Sequence, residues 1–269
     1  MFVKSCLKRY PGINLGVSPI LLSVVFLFSC SSRENDGADE QIRMTAPVES
    51  GDTINSVDGS VPLKDLASYP QKVVLTGLKE HRLVTVYKQA KQDKEKNRSG
   101  SYSGYYYYDE NGYDYVQHFM PGIDLIYGYN LINIAYSDLK NEQPTFLFNH
   151  PVLVKSLYYP SFVQDSIDKK PVTRDYYLVS VYDEDTNADT LINKRDLRRF
   201  YHFNASCTSK TRLIPADYSV VRSQYDRGND VMYVFARHDA NSNGKSEPTE
   251  PLHIFWIDLR SPATAKRLY

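Results

Sequence analysis

Val231-Met-Tyr-Val-Phe-Ala236, Asp239-Ala-Asn241-Ser-Asn243-Gly244-Lys245-Ser-Glu247-Pro-Thr-Glu250 and His253-Ile-Phe-Trp-Ile257 follow one another near the C-terminus. The outer two runs are β-branched and aromatic, the composition of strands. The middle run fits the calcium-loop pattern D-x-[DN]-x-[DN]-G-x5-E at every specified position. Calcium is a hard cation that takes six to eight oxygen ligands, so a loop that holds it must turn many oxygens inward. Positions 1, 3 and 5 (Asp239, Asn241, Asn243) offer side-chain oxygens, and Gly244 at position 6 permits the sharp turn. Lys245 at position 7 offers its backbone carbonyl, Glu247 stands at position 9, and Glu250 at position 12 can bind through both oxygens. The same composition also suits a polar hairpin turn.

Fifty-four residues upstream the pattern recurs as Asp185-Thr-Asn187-Ala-Asp189-Thr190-Leu191-Ile192-Asn193-Lys-Arg-Asp196. Its candidate ligands are Asp185, Asn187, Asp189, the carbonyl of Leu191, Asn193 and Asp196, and its position 8 is the apolar Ile192. The flanks align in the same register: Val179-Ser-Val181 with Tyr233-Val-Phe235, and Phe200–Phe203 with Ile254–Ile257. This is a duplicated unit of strand, acidic loop and strand. The first copy departs from the pattern twice, with Thr190 in the glycine place and Asp196 in place of the longer Glu. Two loops in one register make calcium the expected cofactor.

The loops resemble those of EF-hand proteins, and the first is also similar to the loop of dockerin modules. The resemblance spans about twelve residues each time and stops at the flanks, where an EF-hand has helices and this chain has strand-like runs. Helix opening as a calcium switch is therefore not carried over. A loop of this kind between strands looks like the calcium loops of some β-propellers, where it implies a role in holding a long loop in one shape.

Strand-like runs fill the remainder. The last unit reads Tyr218–Tyr225, Val231–Ala236, His253–Asp258 and Ala265–Tyr269. The unit before it reads Val152–Tyr159, Tyr176–Tyr182, Arg199–Asn204 and Thr211–Pro215. A shorter one reads Ile123–Tyr129, Leu131–Leu139 and Pro144–Phe148, and the first reads Lys72–Leu78, Arg82–Lys88, Gly104–Asp109 and Tyr113–Phe119. Four strands per unit predict an all-β, propeller-like array of about four small antiparallel sheets, with a β-sandwich or an open sheet stack as alternatives. The rhythm of Ile254–Leu259 and Ile134–Leu139 resembles the blade repeat of TolB-type and WD40-like propellers.

Residues 1–30 read as a targeting segment. Lys4, Lys8 and Arg9 precede the ten-residue apolar run Pro19–Phe28, which is short for a membrane span. The run ends in Leu27-Phe28-Ser29-Cys30, which resembles the lipobox of bacterial lipoproteins. That resemblance implies cleavage before Cys30, lipid attachment to it, and a place in the cell envelope, on the outer membrane of a Gram-negative bacterium. An ordinary secretory signal with a chance cysteine is the alternative. Residues 31–60, poor in large apolar side chains, read as a tether, and 61–269 as the folded domain. Once residues 1–30 are set aside, 29 basic residues face 32 acidic ones; no basic field argues for nucleic acid. Cys6 would be removed with the signal and Cys30 acylated, which leaves Cys207 alone, so no intramolecular disulfide is expected.

The six histidines are scattered, with no H-E-x-x-H pair, and the chain has neither a nucleophile elbow nor a phosphate loop. A second unusual stretch, Tyr102–Tyr115, carries the hairpin signal Asn111-Gly112. Its alternate tyrosines Tyr105, Tyr107, Tyr113 and Tyr115 would share one face, an aromatic platform suited to sugars or protein partners. The expected protein is a lipid-anchored envelope module that binds a protein or glycan. A carbohydrate-directed hydrolase with calcium as scaffold, or a purely structural envelope component, are the alternatives.

Overall fold

The computed structural model describes residues 56–89, 117–128, 131–140 and 143–269. Cys30 and the tyrosine face of Tyr105, Tyr107, Tyr113 and Tyr115 lie outside the described residues. The described residues form sixteen strands in chain order: β1 Ser68–Leu75, β2 His81–Lys88, β3 Gln117–Met120, β4 Ile123–Tyr127, β5 Leu131–Asp138, β6 Thr145–Phe146, β7 Leu153–Pro160 and β8 Asp165–Ile167, then β9 Lys170–Val172, β10 Tyr176–Tyr182, β11 Arg199–Asn204, β12 Lys210–Arg212, β13 Tyr218–Asp226, β14 Val231–His238, β15 Leu252–Asp258 and β16 Ala265–Arg267. A 3-10 turn at Leu63–Asp65 precedes them. The protein is all-β.

The strands form four antiparallel sheets, ordered β1-β2-β5-β6, β12-β11-β10-β7-β4-β3, β13-β14-β15-β16 and the hairpin β8-β9. The last unit read from the sequence is one sheet, with each strand beside its chain neighbour. The unit before it supplies β7, β10, β11 and β12 in that order. The shorter unit is divided: β4 pairs with β7 in the six-stranded sheet, whereas β5 pairs with β2. Gly128, at the end of β4, still bonds to β7 through the Lys155 carbonyl and lies so close to it that a Cβ would sit 2.2 Å from the Val154 carbonyl oxygen. Of the first unit, 104–109 and 113–116 lie outside the described residues, and β3, which overlaps the end of the run read as Tyr113–Phe119, pairs with β4.

The six-stranded sheet is covered on both faces. Tyr158, Tyr176, Leu178 and Phe200 face Val220, Met232, Val234, Phe255 and Ile257 of the C-terminal sheet. The alternate residues Leu157, Tyr159, Tyr177, Val179, Tyr201 and Phe203 face Val74, Leu83, Leu131 and Ile134 of the N-terminal sheet. A strand covered on both sides is buried at successive positions, and β7 and β10 accordingly carry mostly apolar and aromatic residues without strict alternation, with Lys155, Ser156 and Ser180 as the buried polar exceptions. All eight residues of β7 are buried. Buried Arg174 ties the central and C-terminal sheets together. Its guanidinium grips both carboxylate oxygens of Asp230 at 2.7 and 3.0 Å and donates to the Leu259 carbonyl at 2.9 Å. A bidentate, charge-assisted pair supplies both energy and geometry where two sheets meet.

Val57, within the stretch that reads as a tether, is buried at 1% exposure. It makes an isolated antiparallel bridge to Ile192. With Val86, Ile132 and Leu153 these two form a small third core, against which Leu63, Leu66 and Tyr182 pack.

Candidate metal centre

Each acidic loop is closed at its base by a ladder pair. Val181 of β10 pairs with Arg199 of β11, and Arg237 of β14 pairs with Leu252 of β15. The strands therefore fix where each loop begins and ends, and its own side chains decide the path between.

The two loops fold alike. At position 1, Asp185 accepts the N–H groups of Asp189 and Thr190 at 3.1 and 2.7 Å. Asp239 accepts those of Asn243 and Gly244 at 3.1 and 2.9 Å. At position 3, the Oδ1 atoms of Asn187 and Asn241 each accept from the residue two ahead, both at 3.0 Å. At position 5, Asp189 accepts from Leu191 at 3.0 Å and Asn243 from Lys245 at 2.8 Å. At position 12, Asp196 accepts from Asn193 at 2.8 Å and Glu250 from Glu247 at 2.9 Å. Left-handed backbone falls at position 4 (Ala188, φ 58°; Ser242, φ 56°) and at position 6 (Thr190, φ 73°; Gly244, φ 71°). Such turns by Asn and Asp onto their own backbone curl the chain around its carboxylate and amide oxygens.

The loops also touch. Thr186 Oγ1 donates to the Gly244 carbonyl at 2.6 Å. A Cβ on Gly244 would lie 1.8 Å from the Thr186 carbonyl oxygen. Gly244 thus serves twice, by adopting a positive φ and by leaving room for the other loop. Thr186 further receives the Leu197 N–H on its hydroxyl and gives its own N–H to Asp196.

The position-12 carboxylates differ. Asp196 is fully buried, and backbone N–H groups of Thr186, Asn187 and Asn193 converge on it. Burial raises its pKa, and those N–H groups pull the other way. In the second loop Glu250 Oε1 is buried with no hydrogen-bond partner. A buried, unpartnered carboxylate oxygen is costly unless something positive meets it. The residues of the second loop therefore fit a cation better than those of the first. Asp189 is exposed; slight burial raises its carboxyl, but the Leu191 N–H and the Asn193 amide outweigh it and hold it below the usual range.

All twelve candidate ligands fall in these two loops as the sequence places them. Among the described residues no three His, Cys, Asp or Glu side chains converge into a cluster; the loops' other oxygens come from Asn side chains and backbone carbonyls. Sequence reasoning missed Thr186 and Val57. Thr186 sits at the unspecified position 2 of the loop pattern, and Val57 lies in a stretch too polar to suggest a core. His238, beside Asp239, pairs with Asp217 at 3.1 Å, and His253 with the Tyr218 hydroxyl at 2.9 Å. Cys207 is half-buried, and burial pushes its thiol up to about 12, far from the thiolate a nucleophile needs. Comparison with known proteins finds no matching family model, curated protein or solved structure.

Proposed function

We propose that the protein is a lipid-anchored module of the bacterial cell envelope, held to the outer membrane through Cys30, that binds a protein or glycan partner. Loop 239–250 holds a structural calcium ion and loop 185–196 a second, weaker one. The observation that carries the calcium reading is the repetition, in one register, of four hydrogen-bonding positions and two left-handed positions. The buried, unpartnered Glu250 Oε1 adds to it. Calcium here is a scaffold ion of the extracellular kind, with a Kd on the order of 10⁻⁴–10⁻³ M. The stack of three sheets supports a propeller-like reading as well, because β13–β16 is a four-stranded meander packed face to face with its neighbour.

The test is thermal unfolding of the full chain in chelator and then in rising calcium. At about a hundred times Kd, each site adds roughly 2.7 kcal/mol. A rise in Tm that magnesium does not reproduce is expected. An unchanged Tm reduces the loops to polar turns.

One observation favours the hydrolase as a second reading. A groove of about 700 Å³ beside β1 and the β7–β8 connection is lined by Val73, Leu75, Phe162 and Val163 together with two carboxylates, Asp124 and Asp165. Asp165, however, accepts the Ser166 N–H at 2.7 Å and the Gly122 N–H at 3.2 Å, one on each oxygen, as a turn-holding residue does. Binding is therefore the better reading. Glycan cleavage that is lost in Asp124→Asn would reverse the order.

A further inference from the structure

We propose that residues 57–66 form a calcium-linked latch, closed by Ile192 of the first loop, that sets where the membrane tether leaves the domain. The proposal rests on the calcium reading above and concerns how that site is coupled to the rest of the chain.

Ile192 is position 8 of the loop, between the candidate ligands Leu191 and Asn193. Its N–H donates to the Val57 carbonyl at 2.7 Å, and its carbonyl accepts the Val57 N–H at 3.0 Å. Ile192 N–H and Leu191 C=O belong to one peptide unit. In a planar trans peptide these two groups point in opposite directions. A cation that draws the Leu191 carbonyl into the loop thereby turns the Ile192 N–H outward, toward Val57. The Asn193 side-chain amide already reaches the Leu191 carbonyl from the loop side, at 3.3 Å.

Packing locks the bridge. Val57 and Ile192 are 1% and 2% exposed. A Cβ on Gly59 would meet Ile192 Cδ1 at 2.8 Å, so the chain passes close over that side chain. Lys88 donates to the Ser56 carbonyl at 2.6 Å on the other side of Val57. The second loop has no such partner among the described residues: its position 8 is Ser246, and the one isolated bridge is that of Val57 with Ile192. Among the described residues, the first loop alone bonds to the segment that leads toward Cys30.

Linkage makes the coupling reciprocal: calcium favours the docked segment, and the docked segment favours calcium by the same factor. Release of residues 57–66 would lengthen the tether by at most about 33 Å, at roughly 3.3 Å per fully extended residue. The domain would then stand farther from the membrane where calcium is scarce and closer where it is abundant.

The experiment is hydrogen exchange at the Val57 and Ile192 amides of the full chain, in chelator, calcium or magnesium, with calorimetric calcium titration of the same sample. Protection of both amides should rise at least tenfold in calcium and remain low in magnesium. Val57→Asp, which places a charge in the small core, should weaken calcium binding at one of two sites about tenfold and leave the other unchanged. Two calcium sites by calorimetry with Val57 protection unaltered would overturn the latch and leave the calcium reading intact. No calcium heat at all would overturn both. Circular dichroism of Val57→Asp separates release of the segment from loss of the fold.

Discussion

The two acidic loops share a pattern, a register and a backbone path, yet they solve the same problem differently. In the first, the position-12 carboxylate Asp196 is buried and met by three backbone N–H groups. In the second, the longer Glu250 spends one oxygen on a backbone N–H and leaves the other buried and unpartnered. At position 1 the exposures reverse: Asp185 is exposed and Asp239 is buried. Both loops are closed by the same bonds to their own backbone and by their mutual contact; the first is also bridged to Val57, whereas the second retains an unmet negative oxygen. A sequence repeat conserves geometry more readily than it conserves electrostatic demand.

The comparison breaks most sharply at Gly244. Gly244→Ala forces a Cβ into the Thr186 carbonyl at a positive φ, so both loops must shift. A loss of more than about 3 kcal/mol is expected by denaturant unfolding, with calcium heat reduced at both sites rather than one. A loss confined to the second site would mean that the loops do not depend on each other.

A smaller pair of changes tests the position-12 asymmetry. Asp196→Asn turns an acceptor of three N–H groups into a partial donor and should cost about 1–3 kcal/mol even in chelator. Glu250→Gln should cost little in chelator, because it removes a partly unmet buried charge while the amide oxygen can still accept the Glu247 N–H, but should abolish the stabilisation by calcium at the second site. Equal costs for the two variants in chelator would remove the distinction drawn between the loops.

Smallest is Thr190→Gly. Thr190 is β-branched and sits at φ 73° in the place where the second loop has glycine. Relief of that strain should stabilise the protein by about 1 kcal/mol, less the entropy that glycine adds to the unfolded chain. The same change moves the first loop toward the pattern of the second, so its calcium affinity should rise.

What the sequence determined by itself is local. Strand-like flanks, the spacing of oxygens and the 54-residue repeat follow from side-chain chemistry within a dozen residues, and so both loops and the C-terminal sheet were legible. The β-branched and aromatic residues of β7 and β10 announced strands as well. What tertiary structure decided is partnership. An alternating strand pattern states which face is buried but not against which strand, because any antiparallel neighbour satisfies its backbone groups equally well. Nothing in Leu131–Asp138 names β2 rather than β4 as its partner. Nothing in Gly244 announces Thr186, 58 residues earlier, and nothing in the polar stretch around Val57 announces Ile192. Those contacts arise only when three sheets stack, bury both faces of the middle one and bring two remote loops and the start of the domain to the same place.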